Sequence, residues 1–272
     1  MKEKSGRLPV NDGNLFFESA GNGEAVVFLH GFGLDSRMWN PQFDALQSMY
    51  RVIRYDLRGF GRSSLPPQTV YAHEDDLNAL LSSLGAAPAR VVGLSMGGRM
   101  ALRFAAAYPH SVRSLVLADA ALDGQTWSTD WQTRWSAMCE AARAGHIEDA
   151  KSQWLAHPLF DPARANPMSA SLLARMVDDY SGWHWHNRDT AHAPTPPLAE
   201  RLGEIRVPTL VITGALDIAD FQVVGTLLAE KLPAVRRISI DGSGHMVNLE
   251  APREFNAALL TFWRALSEPT NE

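Results

Sequence analysis

The sequence predicts an α/β fold in which a mostly parallel sheet of eight strands carries helices on both faces. Short, β-branched and nearly continuously apolar segments alternate with segments of helical period, which is typical of parallel strands joined by helices. Six of the eight tryptophans fall in one helical stretch that interrupts this alternation. We therefore expect a core built from residues 1–120 and 206–272, with residues 121–205 inserted as a helical cap.

The first two predicted strands form a hairpin. The segments RLPV and NLFFESA flank Asn11-Asp12-Gly13, and Asp-Gly and Asn-Gly pairs readily adopt the positive φ angles of a tight turn. The hairpin gives the sheet an antiparallel edge.

Six further segments have the composition of buried parallel strands, at 25–30, 50–56, 89–95, 112–120, 208–217 and 235–242. Helical period predicts helices at 75–84, 97–108, 221–232 and 252–266. Parallel sheets bind ligands beyond the carboxyl ends of their strands, so we expect the functional residues in the loops that follow strands.

Composition narrows the classes of partner. The chain is 46% hydrophobic and 20% charged, with a formal net charge of -5, so it offers no basic surface to nucleic acid or to an anionic membrane. Cys139 is its single cysteine, which excludes an internal disulfide and a cysteine-based metal site. MKEKSGRLPV lacks the apolar stretch of a signal peptide. We expect a cytoplasmic protein acting on small molecules, as a monomer or a homodimer.

Ser95 is the candidate nucleophile. It lies in VVGLSMGG, with Gly93 two places before it and Gly97 two places after, and glycines permit the sharp strand-to-helix turn that presents a serine hydroxyl. A serine needs a base, a group that orients the base, and donors for the oxyanion. His245 in DGSGHMVNLE is the candidate base.

The acid that orients this base has three candidates. Asp217 closes the predicted strand in TGALD and is preferred, since it ends a Gly-x-x-Asp turn. Asp220 follows within one turn, and Asp119 ends an earlier strand. All three remain open at the level of sequence.

The oxyanion donors are predicted from HGFG, residues 30–33, where the Phe32 N–H can face the nucleophile, and from the Met96 N–H at a helix N-terminus. We expect His30 to support its loop through side-chain hydrogen bonds. For Arg58 and Arg62 we expect salt bridges that organise their loop.

These motifs together resemble the α/β-hydrolases, in particular their capped esterases, lactonases and C–C hydrolases. The resemblance spans nearly the whole chain through HGFG, YDLRGFGRSS, GLSMGG, VPTLVITGALD and GSGHMVNLEAPREF. It implies an α/β-hydrolase fold, a catalytic triad of Ser95, Asp217 and His245, and an oxyanion hole made by the Phe32 and Met96 amides. It implies no cofactor. His184 and His186 have no carboxylate or cysteine at ligand spacing, so no metal site is expected.

The predicted cap suggests the substrate class. Trp127, Trp131 and Trp135 recur every fourth residue, which places them on one face of a helix, directed either at the mouth of the active site or into the packing of the cap. The candidate pocket residues are these three together with Trp154, Trp183, Trp185 and Met246. An aromatic pocket favours an apolar acyl chain or ring, so an uncharged carboxylic ester or lactone is expected, acyl-homoserine lactones included.

Two alternatives remain. C–C bond hydrolases and enol-lactonases of aromatic catabolism share the architecture, although the C–C enzymes usually have Asn before the serine, where this chain has Leu94. A signal receptor on the same fold binds its ligand without turnover.

Overall fold

The computed structural model describes residues 4–267; residues 1–3 and 268–272, which the sequence assigns to the core, lie outside the described residues. Eight strands form one sheet in the order β1-β2-β4-β3-β5-β6-β7-β8. Their bounds are β1 Lys4–Val10, β2 Gly13–Ala20, β3 Ala25–Leu29, β4 Arg51–Tyr55, β5 Ala89–Leu94, β6 Val112–Ala118, β7 Thr209–Gly214 and β8 Val235–Ile240.

The first two strand pairings of the sheet are antiparallel and the rest are parallel. β1 pairs with β2, and β2 with β4, in antiparallel register. The pairings from β4 through β3, β5, β6 and β7 to β8 are parallel. The predicted hairpin is confirmed, with Val10 opposite Gly13 and a φ of 57° at Asp12.

The α-helices of residues 4–267 are α1 Asn40–Leu46, α2 His73–Ser83, α3 Met96–Ala107, α4 Thr129–Arg143, α5 Ile147–Leu155, α6 Asp161–Ala165, α7 Pro167–Asp179, α8 Trp183–His186, α9 Ala219–Lys231, α10 Val247–Glu250 and α11 Pro252–Ser267. Sequence predicted α2, α3, α9 and α11 to within two residues at each end. It missed α1, a seven-residue helix too short to show a periodicity.

The prediction that residues 235–242 form a buried strand is wrong. In β8, Arg236, Arg237 and Ser239 are exposed, because among residues 4–267 this strand forms one edge of the sheet and has β7 as its single neighbour. The inner strands β3 and β5 are buried along their whole length. The position of a strand in the sheet, and not its hydropathy alone, decides its burial.

Helices α4–α8 lie between β6 and β7 and are referred to below as the helical insertion. Asp179 of α7 forms a salt bridge of 2.7 Å with Arg37 of the core. Beyond α8, Ala191 forms an isolated parallel β-bridge with Tyr71. The insertion is therefore attached to the core at points on both sides of α8. Within residues 4–267, no helix is both long enough and apolar enough to span a membrane.

Candidate active site

Ser95 occupies the turn between β5 and α3. Its φ of 56° and ψ of -119° are rare for a residue with a side chain and cost on the order of 1–3 kcal/mol. The turn is held by two backbone hydrogen bonds of 3.0 Å, from Ser95 N to the Ala118 carbonyl and from Ala121 N to the Ser95 carbonyl. Strand β6 and the residues after it thus hold Ser95 in this strained conformation. The Ser95 side chain lines a cavity.

Glycine is required on both sides of this turn. A Cβ on Gly97 would overlap the carbonyl oxygens of Leu29 and His30, and one on Gly93 would overlap the Gly97 carbonyl. The absence of a Cβ atom at these two glycines lets α3 start directly against the end of β3. The Ser95 turn and the loop that contains Phe32 are therefore neighbours.

His245 and Asp217 form a buried hydrogen-bonded pair. The Nδ1 atom of His245 lies 2.8 Å from Oδ2 of Asp217, and the two side chains are 4% and 0% exposed. Ile218 N donates to the other Asp217 oxygen at 2.7 Å. Within residues 4–267 this bond to Asp217 is the one hydrogen bond of the imidazole, so Nε2 is available for another partner.

The other two candidate acids have different partners. Asp220 accepts hydrogen bonds from the Ser128 N–H at 2.7 Å and the Ser128 hydroxyl at 2.8 Å. Asp119 accepts from Gly214 N at 3.0 Å, and its burial and the nearby Asp217 carboxylate raise its pKa well above the ordinary value. Of the three carboxylates, Asp217 is the one that contacts the imidazole.

Sequence reasoning missed Glu250. Its carboxylate accepts hydrogen bonds from the Gly244 and Met246 N–H groups, which flank His245. Burial raises the pKa of Glu250 above the ordinary value. A carboxylate five residues after the histidine, at the end of the short helix α10, gives no periodic signal in the sequence.

The predicted oxyanion donors lie beside Ser95. Phe32, Ser95 and Met96 line one cavity, and within residues 4–267 neither the Phe32 N–H nor the Met96 N–H donates a hydrogen bond. His30 supports this loop as predicted: its Nε2 accepts from Leu57 N at 2.9 Å and its Nδ1 lies 2.8 Å from the Gly31 carbonyl. Burial lowers the pKa of His30, which favours the neutral ring that both contacts require.

The cavity has a volume of about 470 Å³. Four of the predicted pocket residues line it, namely Trp127, Trp131, Trp135 and Trp154. Trp127 and Trp131 stack with their ring centroids 4.2 Å apart, and Phe32 makes an edge-to-face contact with Trp135 at 5.0 Å. This wall is aromatic, as the spacing of the tryptophans predicts.

Three predicted pocket residues do not line the cavity. Trp185 and Met246 are fully buried, and Trp185 packs edge-on against Tyr180 at 5.0 Å. Trp183 is half-buried and contacts His184. Helix α8 has a single turn, so neighbouring tryptophans on it point in different directions, and residue type alone does not reveal which direction is inward.

The cavity also has a polar part that sequence reasoning did not predict. It is formed by Arg99, Gln132, Ser136, His184, Asn187 and Asp189. One signal was present for Arg99, which follows Ser95 by four residues and so lies in the first turn of the helix that Ser95 precedes. The others come from the insertion, where sequence pattern gives no orientation.

The remaining predictions concern loop arginines and metal ligands. Arg58 donates to both Asp76 oxygens at 2.6 and 2.9 Å, and Arg62 lies 3.5 Å from Glu18, so both organise their loop as predicted. Among residues 4–267, no three His, Cys, Asp or Glu side chains gather in the geometry of a metal site.

The chain is similar in sequence to several known proteins. A family model described as alpha/beta hydrolase fold matches residues 24–252. The chain is 30% identical over 239 residues, covering 86% of each chain, to 3-oxoadipate enol-lactonase 1 of Acinetobacter baylyi. It is 30% identical over 274 residues to the 2-hydroxy-6-oxononadienedioate/2-hydroxy-6-oxononatrienedioate hydrolase of Burkholderia vietnamiensis, covering 94% of this chain and 93% of that one.

Among solved structures, a thermophilic esterase from Thermogutta terrifontis matches with a TM-score of 0.77 and 25% identity. The match covers 97% of this chain and 99% of the esterase. Similarity therefore extends across the sheet and the helical insertion alike.

Proposed function

The chain belongs to the α/β-hydrolase family, and on that premise we propose that it is a serine hydrolase that cleaves an uncharged carboxylic ester or lactone. The observation that carries the proposal is the buried pair of His245 and Asp217, 2.8 Å apart, in a fold that also presents Ser95 on a strained turn. We propose Ser95 as nucleophile, His245 as general base and Asp217 as the acid that orients the imidazole.

Acylation is the first half of the proposed reaction. His245 Nε2 takes the proton of the Ser95 hydroxyl, whose oxygen attacks the carbonyl carbon. The oxyanion that forms accepts hydrogen bonds from the Phe32 and Met96 amides, each worth about 3 kcal/mol in comparable sites. His245 then protonates the departing alkoxide as the ester bond breaks, leaving Ser95 acylated.

Deacylation repeats these steps with water. His245 takes a proton from water, the resulting hydroxide attacks the acyl carbon, and the proton passes to the Ser95 oxygen as it leaves. A lactone follows the same course, except that its alcohol stays tethered to the acyl group. Asp217 stabilises the imidazolium in both halves.

We propose that residues 121–205 act as a cap over this site. Trp127, Trp131, Trp135 and Trp154 of this segment line the cavity that contains Ser95. An aromatic wall takes up an apolar acyl chain. The proposed role of this cap is to select the substrate.

The test combines labelling with turnover. An alkyl fluorophosphonate followed by peptide mass mapping should label Ser95, and the adduct should be lost in Ser95→Ala and His245→Ala. Hydrolysis of 4-nitrophenyl esters of graded acyl length should disappear in the same two variants. Ser82→Ala, at an exposed position of α2, is the matched control and should hydrolyse the esters at the rate of the natural chain.

Two outcomes decide against the proposal. Labelling at another residue, or activity that survives Ser95→Ala, overturns the site. Tight binding of esters by the intact protein with no turnover favours the signal receptor.

Enol-lactone hydrolysis is the second candidate, because the Acinetobacter enol-lactonase is a relative over most of both chains. The C–C bond hydrolases are less favoured, since Leu94 occupies the position before Ser95 where they usually have Asn. Product analysis separates the candidates: a lactone gives one ring-opened acid, whereas a linear ester or a C–C substrate gives two fragments.

A further inference from the structure

The cavity that contains Ser95 is not uniformly apolar. Its lining includes two charged side chains, Arg99 and Asp189. The reaction proposed above uses neither of them. They therefore identify a subsite for a part of the substrate other than the bond that is cleaved.

Arg99 has an unused hydrogen-bond donor. Within residues 4–267 its Nε atom is buried without a hydrogen-bond partner, so the donors that a substrate can reach belong to the 32% of the side chain that remains exposed. The nearest carboxylate oxygen, Asp123 Oδ1, lies 3.9 Å away. Asp123 is already held by Arg103, which donates to both of its oxygens at 2.7 and 2.5 Å.

Asp189 keeps acceptor capacity on one of its two oxygens. Its Oδ1 accepts from Tyr71 OH and from Ala191 N, each at 3.0 Å. Its Oδ2 lies farther from its neighbours, at 3.3 Å from Tyr71 OH and 3.7 Å from His184 Nε2. Burial lowers the pKa of His184 to about 3, so this ring does not neutralise the carboxylate.

The charges of this part of the cavity balance. Arg99 and Asp189 carry opposite unit charges, and Arg103 and Asp123 cancel each other as a pair. A substrate carboxylate that approached Arg99 would also meet the Asp189 carboxylate, which repels it. A neutral group with one acceptor and one donor can form hydrogen bonds with both Arg99 and Asp189 without this repulsion.

We propose that this subsite binds an amide-type group of the substrate, with Arg99 donating to its carbonyl oxygen and Asp189 accepting from its N–H. This inference rests on the proposed function. Arg99 lies in the first turn of α3, and its backbone N–H donates to the Ser95 carbonyl at 3.1 Å, so the amide lies only a few bonds from the reacting carbonyl. The substrate class is an ester or lactone with an acylamino group next to the carbonyl.

Three 4-nitrophenyl esters with five-atom acyl chains test the subsite: the N-acetylglycine ester, the pentanoate ester and the glutarate monoester. The third and fourth atoms of the acyl chain are an amide N–H and carbonyl in the first ester and two methylenes in the other two, and the glutarate carries its carboxylate at the fifth. Each kcat/KM is divided by the rate of hydrolysis by hydroxide, which removes differences in intrinsic reactivity. The amide ester should exceed the pentanoate at least about tenfold, as expected for hydrogen bonds to charged groups, and the glutarate should fall below it.

Variants connect this preference to the two residues. Arg99→Met and Asp189→Asn should each reduce the ratio of amide ester to pentanoate several-fold. Arg134→Met, on the exposed Asp130 ion pair of α4, is the matched control and should keep the ratio of the natural chain. The comparison of the three esters on the unmodified protein decides the question even if a variant fails to fold.

Each remaining outcome has a definite meaning. Equal rates for the amide ester and the pentanoate overturn the subsite and leave the proposed function intact. Preference for the glutarate that is lost in Arg99→Met replaces the amide with a carboxylate and also overturns it. No hydrolysis of any ester, with no labelling of Ser95, overturns the proposed function and this inference together.

Discussion

His245 Nδ1 lies 2.8 Å from Asp217 Oδ2, although 28 residues separate them in the chain. Asp217 follows β7 and His245 follows β8, and these strands are parallel neighbours in the sheet. Parallel pairing brings the carboxyl ends of two strands to the same edge. The contact between His245 and Asp217 is thus a consequence of the sheet topology. Because the pair is buried, the carboxylate is in a position to orient the imidazole as proposed.

Asp217→Asn should lower kcat for ester hydrolysis by about 10⁴-fold, because the amide can donate to His245 and hold the wrong tautomer. Steady-state kinetics on a 4-nitrophenyl ester measure the loss. Asp220→Asn is the control, since Asp220 binds Ser128 and not the imidazole, and should keep activity within a few-fold. A larger loss in Asp220→Asn than in Asp217→Asn would contradict the assignment.

Glu250→Gln should lower kcat at least about tenfold. The carboxylate accepts from the N–H groups on both sides of His245, whereas a glutamine presents one oxygen and one donor, so one N–H loses its acceptor. KM should change less than kcat, because the residue positions the base. Glu254→Gln, exposed on α11, is the matched control; equal effects in the two variants would refute a positioning role.

Gly97→Ala should lower the free energy of unfolding by about 1–3 kcal/mol or more and reduce activity. The new Cβ would overlap the backbone oxygens of Leu29 and His30, which are not flexible side-chain ends. Urea denaturation measures the change. Gly203→Ala is the control, since no atom lies within 4 Å of its Cβ position, and it should shift stability by less than about 0.5 kcal/mol.

Stability should fall in acid because of His184. Burial lowers its pKa from 6.5 to about 3, so between these values the unfolded chain binds a proton that the folded chain does not. Above pH 6.5 the burial of His184 does not reduce the free energy of unfolding, because the ring is neutral in both states. As the pH falls from there toward 3, the free energy of unfolding decreases by up to about 1.4 kcal/mol per pH unit. His157, with a pKa of about 4, adds to the loss in the same direction.

Urea denaturation at pH 7.5 and pH 5 tests the role of His184. His184→Asn should show a smaller difference in unfolding free energy between the two pH values than the natural chain. His146→Asn, at an exposed position, should show the natural difference. An unchanged difference in His184→Asn would mean that this imidazole does not resist protonation in the fold.

Most of the fold was predictable because hydropathy and turn residues act locally. The apolar run of β5 and the glycines around Ser95 identify a strand, a turn and a helix from adjacent residues alone. The exposure of β8 was not predictable, since it depends on which strand lies beside it. Helix α1 was missed because seven residues carry too little pattern.

The sequence by itself determined the order of the strands and helices along the chain, the candidate nucleophile and base, and the placement of Trp127, Trp131 and Trp135 on one face of a helix. Tertiary structure decided which of three carboxylates meets His245, that Trp185 and Met246 are buried away from the cavity, and that Arg99 and Asp189 share it. The physical reason is that propensity and periodicity describe neighbours along the chain. Distances between side chains of different elements arise only when those elements pack.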